Sequence, residues 1–197
     1  LIVIDDGSKD GGFETAKKLL DVLTPPLGGW GATCQKNQGV SVTRNNGVKL
    51  AKYDYIAFLD ADDWWAPTYL EGMKNLIAQY PEAGIYGSSY FKVKNGKYIP
   101  ANIGVEAGFQ QGLINYFQVY AKTLWMPLWT GATILKKDVF IENNGFKPGL
   151  KLGEDFDLWA RVAIKYPVAF LNKPLAYYNQ DVILDTRAVG ARLYEKQ

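Results

Sequence analysis

The stretch that most constrains this chain is Tyr55-Ile56-Ala57-Phe58-Leu59, followed at once by Asp60-Ala61-Asp62-Asp63. A run of mostly apolar residues suits a strand buried in a sheet, and the abrupt change to three carboxylates within four positions marks a loop at its carboxyl end. In an open α/β sheet that edge carries ligands, because the loops there form a crevice above the apolar layers. Like charges about 6 Å apart repel by ~0.7 kcal/mol in water and ~3 kcal/mol at an effective dielectric near 20. Such a cluster gains from a hard divalent cation such as Mg²⁺ or Mn²⁺, which commonly binds one or two carboxylates plus substrate phosphates. For an isolated Asp-x-Asp-Asp the plainer reading is a solvated turn that caps the next helix, so the rest of the chain decides.

Leu1-Ile2-Val3-Ile4 is a second continuous apolar run, of the kind buried on both faces, and it too ends on acids, Asp5-Asp6-Gly7-Ser8. Phe13, Ala16, Leu19, Leu20 and Leu23 share one helical face, and Thr24-Pro25-Pro26-Leu27-Gly28-Gly29 stops that helix. A short strand is expected over 32–35, then the loop Asn37-Gln38-Gly39, a helix with Arg44 near its start, and a central strand from Tyr55 to Leu59. Pro67 suits the first turn of the next helix, with Leu70, Met73, Ile77 and Tyr80 as its apolar stripe. Beyond it the pattern predicts a buried strand over 83–86, a hairpin over 90–99 turning at Asn95-Gly96, and a helix over 109–124. A strand over 130–135 and a short helix over 136–142 follow. Leu158, Trp159, Val162, Ala163 and Tyr166 define an amphipathic helix, and spacings of three, four and seven put Asp155 on its buried face. Two short strands over 168–171 and 175–178 close the pattern, and a tail runs from Gln180. No repeat or dividing linker breaks the sequence, so one domain is expected over 1–197.

Composition removes several chemistries. No histidine is present, which excludes Ser-His-Asp and Cys-His catalysis and H-E-x-x-H zinc sites and leaves carboxylates to handle protons. One cysteine, Cys34, makes neither a disulfide framework nor a zinc site and fits a reducing compartment. A net charge of +2 with no basic run argues against a general nucleic-acid binder. The supply of 6 Trp and 13 Tyr fills a core and also suits stacking on sugars or bases. No apolar stretch approaches the ~20 residues of a membrane span, so the chain reads as soluble.

Four motifs, taken in order, resemble glycosyltransferase family 2: Ile4-Asp5-Asp6-Gly7-Ser8-Lys9-Asp10; Asn37-Gln38-Gly39 with Thr43-Arg44-Asn45; Leu59-Asp60-Ala61-Asp62-Asp63; and Gly153-Glu154-Asp155 with Leu158-Trp159. The resemblance covers residues 1 to about 178. It implies an α/β fold of GT-A type, a Rossmann-like α/β/α sandwich with a mostly parallel sheet, binding a nucleotide-sugar and a divalent cation and inverting the anomeric centre. By resemblance Asp6 reads an imide N–H of the nucleotide base, which favours uracil or thymine and hence a UDP-sugar donor. Asp5 supports the turn. Arg44 matches a basic position near the nucleotide, where a guanidinium offsets diphosphate charge. Asp60 lies toward the ribose and metal, Asp62 is the principal metal acid, and Asp63 either reaches the metal through water or caps the turn. Asp155 matches the catalytic base, with Glu154 as the alternative base or an acceptor ligand, and Gly131 matches a small residue beside the donor sugar.

Two departures accompany the resemblance. Family members place a strand before the position of Leu1, and its lack is expected to leave a groove in the sheet. The segment Tyr177-Tyr178-Asn179-Gln180-Asp181 lies where relatives carry a histidine over the metal, so a protein ligand there is Asn179, Gln180 or Asp181, or water takes the place. No Q-x-x-R-W follows Asp155, which favours single-sugar transfer over processive synthesis. The expectation is a metal-dependent enzyme using Mn²⁺ or Mg²⁺ and a glycan or lipid-linked glycan acceptor in cell-envelope polysaccharide synthesis, in the cytoplasm or peripherally at the inner membrane face. A non-catalytic nucleotide-sugar-binding domain and a sugar-phosphate nucleotidyltransferase are the alternatives.

Overall fold

A computed structural model describes residues 1–23, 31–150 and 152–181. The expected helix stop at 24–29 and most of the tail from Gln180 lie outside the described residues. The chain opens with strand β1 (Ile2–Asp5), helix α1 (Gly12–Leu23), strand β2 (Gly31–Cys34) and helix α2 (Val40–Leu50). Then come β3 (Tyr55–Ala57), β4 (Trp64–Trp65), α3 (Tyr69–Gln79), β5 (Ile85–Lys94), β6 (Lys97–Pro100), β7 (Gln111–Ile114) and α4 (Tyr116–Thr123). A 3₁₀ turn (Thr130–Ala132) leads into β8 (Thr133–Lys136), α5 (Lys137–Glu142), α6 (Glu154–Lys165) and β9 (Val168–Asn179).

The strands form two sheets. β1 and β2 pair in parallel, and a seven-stranded sheet runs β3-β8-β5-β9-β4, with β6 on β5 and β7 on β9. The architecture is α/β as expected, but the sheet is mixed rather than mostly parallel. Only β1–β2 and β5–β9 are parallel among the described pairings. The connections explain this: β6 follows β5 through the tight Asn95-Gly96 turn, with φ of 50° and 67°, and such a turn can only return the chain antiparallel. β3 is the outer strand of its sheet, not a central one. It pairs with β8 along one edge, leaving Tyr55 and Ala57 exposed on either side of buried Ile56.

Helix α2 joins the two sheets. Gly47 lies against Ile4 of β1, Asn46 donates to Gln35 beyond β2, and Asn45 exchanges two hydrogen bonds with the backbone of Phe146, at 2.7 and 3.0 Å. In the main sheet Leu171 and Leu175 lie against Gly72 of α3, while Phe170 and Leu128 lie against Gly87 of β5. Adjacent strand residues point to opposite faces, so α3 covers one face and the segment containing Leu128 the other. Asp155 bonds to Thr130, which puts the start of α6 on that second side. The core between these layers holds Met73, Leu76, Ile85, Tyr86, Leu135, Leu158, Trp159 and Phe170, each fully or almost fully buried.

Several local expectations shift. The buried face of α3 is Tyr69, Met73 and Leu76, whereas Leu70 is exposed, because Tyr69 stacks on Trp65 at 4.4 Å. Pro67 falls before that helix, not in it. The helix expected over 109–124 divides into β7 and α4, and the two closing strands are one, β9, whose middle is absorbed by register shifts opposite Ser88, Ser89 and Tyr90.

Candidate active site

Each acidic motif sits where a strand hands over to a loop. After β1, Asp5 turns back to accept from the backbone N–H groups of Gly7 and Ser8, as a turn support. Asp6 reaches instead to the loop before α2. Its Oδ1 accepts from Gln35 Nε2 at 2.8 Å and the Gln38 N–H at 2.9 Å, and its Oδ2 from the Gly39 N–H at 2.8 Å. Burial pushes this carboxyl up, but the donors of Gln35, Gln38 and Gly39 outweigh it and hold Asp6 below the usual carboxylate range. A carboxylate has about four acceptor sites, so Asp6 is already committed to shaping the loop at most of them.

Arg44, on the first turns of α2, is the central cation. Its Nη2 donates to both oxygens of Asp60, at 2.9 and 3.1 Å, and its Nη1 to Glu154 at 3.0 Å. The guanidinium also lies 5.4 Å from the ring centre of Phe146. Burial works against its charge, and Asp60 first, then Glu154 and Asp155, overcome that and raise its pKa. The guanidinium expected to face a diphosphate is therefore matched by two carboxylates from different elements.

The acidic loop after β3 divides its acids between jobs. The Asp63 N–H donates to the Asp60 carbonyl at 3.1 Å, closing a turn with Asp62 exposed at its tip. Asp63 is buried and its Oδ1 accepts the Asn179 N–H at 2.7 Å, tying the loop to the end of β9. This bond to β9 is neither the water-bridged metal contact nor the turn cap expected for Asp63; it is a tie between the loop and the sheet. Asp181 is turned away, accepting from the Asn95 and Gly96 N–H groups at the β5–β6 hairpin, so it is withdrawn as a metal ligand.

Among the described residues no group of three or more His, Cys, Asp or Glu side chains forms a ligand cluster. A hard cation of the Mg²⁺ type needs only one or two carboxylates when phosphates and water complete its shell. Asp62, at the exposed tip, and the remaining lone pairs of Asp60 fit that requirement.

Across from this loop, Asp155 is 7 % exposed at the start of α6. Its Oδ2 accepts from Thr130 Oγ1 at 3.0 Å and its Oδ1 from the Phe156 N–H at 2.8 Å. Burial pushes the carboxyl up and the neighbouring charge of Glu154 adds to it. The Phe156 N–H, Thr130 and Arg44 pull the other way without cancelling the rise. Gly131 has a reason to be small within the fold itself. A Cβ there would lie 2.5 Å from the Trp129 ring, and the Gly131 carbonyl accepts Trp65 Nε1–H at 2.6 Å. The space above Gly131 belongs to Trp129. Thr130 and Asn179 are site residues that the sequence reading did not single out for these contacts. Asn179 is among the metal ligands expected from the sequence, whereas its backbone N–H holds Asp63, and Thr130 stands out only as the neighbour of Gly131.

The structure thus brings Arg44, Asp60, Glu154 and Asp155 into one cluster, sets Asp62 and Asp63 on the same loop as Asp60, and places Asp6 against the Gln38-Gly39 loop before α2.

The family model for Glycosyl transferase family 2 matches residues 1–141. An uncharacterized glycosyltransferase of Rickettsia conorii is 30% identical over 179 residues, which is 89% of this chain and 27% of that protein. The chain spans between 20% and 48% of the length of the curated relatives it matches. Among solved structures, S. aureus TarS 1-349 aligns with a TM-score of 0.72 at 20% identity, covering 90% of this chain and 50% of that one. GalNAc-T7 with UDP, GalNAc and Mn²⁺ aligns with a TM-score of 0.66 at 17% identity, covering 92% of this chain and 37% of that one. The fold is the GT-A fold of glycosyltransferases.

Proposed function

The chain belongs to glycosyl transferase family 2, and from that premise we propose that it is the donor-binding and catalytic part of an inverting enzyme that moves one sugar from a nucleotide-sugar to a hydroxyl of a glycan or lipid-linked glycan. The observation that carries the reading is the pairing of a buried, proton-seeking Asp155 with a separate acidic loop, the two sides held together by Arg44. A single displacement needs a base on one face of the sugar and charge stabilisation on the other.

In this reading the acceptor hydroxyl lies against Asp155. As its oxygen forms the new bond to the anomeric carbon, its proton passes to the Asp155 carboxylate, and the old bond's electron pair leaves with the nucleotide diphosphate. General-base help of this kind is worth ~10² to 10⁴ in rate. Glu154, bound to Arg44, is less free to act as base than Asp155 and is assigned to the acceptor side. Asp62 and Asp60 would hold Mn²⁺ or Mg²⁺, which when bound offsets the charge developing on the departing diphosphate. Asp63 keeps that loop on β9. Asp6 offers its remaining acceptor site to the base, which favours uracil and hence a UDP-sugar. Arg44 is assigned to ordering the acids, and Gly131 to seating Trp129. GalNAc-T7, a structural neighbour, holds UDP and Mn²⁺, which supports both assignments.

No helix among the described residues is long and apolar enough to cross a membrane. We place the protein in the cytoplasm or peripherally at the inner membrane face, serving cell-envelope polysaccharide synthesis. The test is UDP release from UDP-glucose, UDP-galactose, UDP-GlcNAc and UDP-GalNAc with Mn²⁺, with and without a cell-envelope glycan extract. Release from at least one donor, lost in Asp155→Asn and on chelation, supports the reading. No release from any of them favours a non-catalytic nucleotide-sugar-binding domain.

A further inference from the structure

We propose that Thr130 is a positioning residue for Asp155, fixing one oxygen of the base carboxylate through its hydroxyl and favouring the ionised, proton-accepting form. The inference rests on the reading of Asp155 as the base. Thr130 is 2 % exposed in the 3₁₀ turn, and its Oγ1 reaches Asp155 Oδ2 at 3.0 Å across 25 positions of sequence. It had a local alternative. Thr133, three residues on, satisfies its own hydroxyl on the Trp129 carbonyl at 2.8 Å, whereas Thr130 spends its hydroxyl on the carboxylate.

The turn that carries Thr130 is held from outside. Trp65 Nε1–H bonds the Gly131 carbonyl, and the Ala132 N–H returns to the Trp129 carbonyl at 2.9 Å. A β-branched side chain on such a turn has few rotamers, so its hydroxyl is aimed before substrate arrives. With Oδ1 on the Phe156 N–H and Oδ2 on Thr130, both oxygens of Asp155 are oriented and each keeps acceptor capacity for a substrate hydroxyl.

The other groups acting on Asp155 do not replace this bond. Glu154 beside it on α6 repels its charge, and Arg44 from α2 attracts it while bound to Glu154 and Asp60. Tyr116 from α4 and Tyr90 from β5 both sense the carboxylate. The Tyr116 hydroxyl is buried with no hydrogen-bond partner among the described residues, and Tyr90 accepts from Trp125 Nε1–H at 2.8 Å. Thr130 is thus the side-chain hydroxyl that stabilises the Asp155 anion against burial and against Glu154.

Thr130→Val keeps the shape and removes the hydroxyl, and Thr130→Ser restores it. With the UDP-sugar the wild type turns over fastest, Thr130→Val is expected to lower kcat roughly tenfold and leave KM for the donor within about twofold. It should also move the acid limb of the kcat profile to higher pH. Thr130→Ser should return the limb toward wild type. Carboxyl ¹³C NMR should show the Asp155 titration moving to higher pH in Thr130→Val. A wild-type acid limb and an unmoved Asp155 titration in Thr130→Val would overturn the inference, even if its melting temperature fell. If Asp155→Asn kept turnover, the base reading itself would fail. An inactive Asp155→Asn beside a Thr130→Val with an unaltered profile would sink the positioning role alone.

Discussion

Arg44 grips both oxygens of Asp60 through a single Nη2, at 2.9 and 3.1 Å, while its other terminal nitrogen holds Glu154 at 3.0 Å. One side chain on α2 therefore ties the acidic loop after β3 to the start of α6. A planar fork spans two carboxylates in a way a lysine ammonium cannot. Arg44→Lys is expected to destabilise the protein by about 2 to 3 kcal/mol, less than a fully buried broken pair because Asp60 is 43% exposed. That corresponds to a melting temperature lower by roughly 4 to 12 °C in a scanning melt.

Asp155 gives the opposite sign. Its folded-state pKa is raised, first by burial and then by Glu154, so the ionised form is the strained one. The native state takes up a proton more readily than the unfolded chain. Stability from this group is therefore present below the unfolded carboxyl value and lost as pH rises through the raised folded one. At pH 7, Asp155→Asn should melt higher than wild type while losing sugar transfer, and a gain of about 1 kcal/mol would read as about 2–4 °C. Equal melting at pH 7, or a lower one, would contradict the assigned electrostatics.

Asp6 is the reverse case again. Although burial pushes it up, hydrogen bonds from Gln35, Gln38 and Gly39 prevail and lower its folded pKa. Its stabilisation is present above the unfolded value near ~3.9 and fades as pH falls through the lower folded one. Asp6→Asn should cost about 1 kcal/mol at pH 7. The gap between mutant and wild-type melts should close as the pH is taken below that window.

Gly131→Ala tests why that position is small. The added carbon would meet Trp129 at 2.5 Å, and Trp129 is itself packed on Tyr90 and Tyr178. Overpacking of about 1 to 3 kcal/mol is expected, with a shift in tryptophan fluorescence. A mutant that keeps wild-type stability and fluorescence would return Gly131 to a role in admitting the sugar.

Much of this arrangement is legible in the chain alone because its signals are local. The Asn95-Gly96 turn, the apolar run ending at Asp60, and the i+3/i+4 spacing that buries Asp155 with Leu158 and Trp159 each fix a piece of structure within a few residues. The strand in residues 111–114 was hidden because Leu113, Ile114 and Tyr116 suit either period. Its pairing with β9, some 55 residues away, decides the matter. The contacts that organise the site are longer still. Arg44 meets Glu154 across 110 positions, and nothing in the spacing of either announces the other. A sequence shows that acids stand at a sheet's edge. Which of them turn inward to hold the loops, as Asp6 and Asp63 do, is settled by backbone donors that carry no sequence signature.

Thermal unfolding with UDP and Mn²⁺, added singly and together, tests most directly whether the acidic loop beside the Asp155 cluster holds a nucleotide through a metal on Asp62. Ligand at ~100 times its dissociation constant adds about 2.7 kcal/mol, a rise of roughly 5 to 10 °C for a chain of this size. That rise is expected only when both are present, and is expected to be lost in Asp62→Ala. The same rise with UDP alone, or one that survives Asp62→Ala, would contradict the metal-bridged site, and no rise under any of these conditions would contradict the nucleotide site itself.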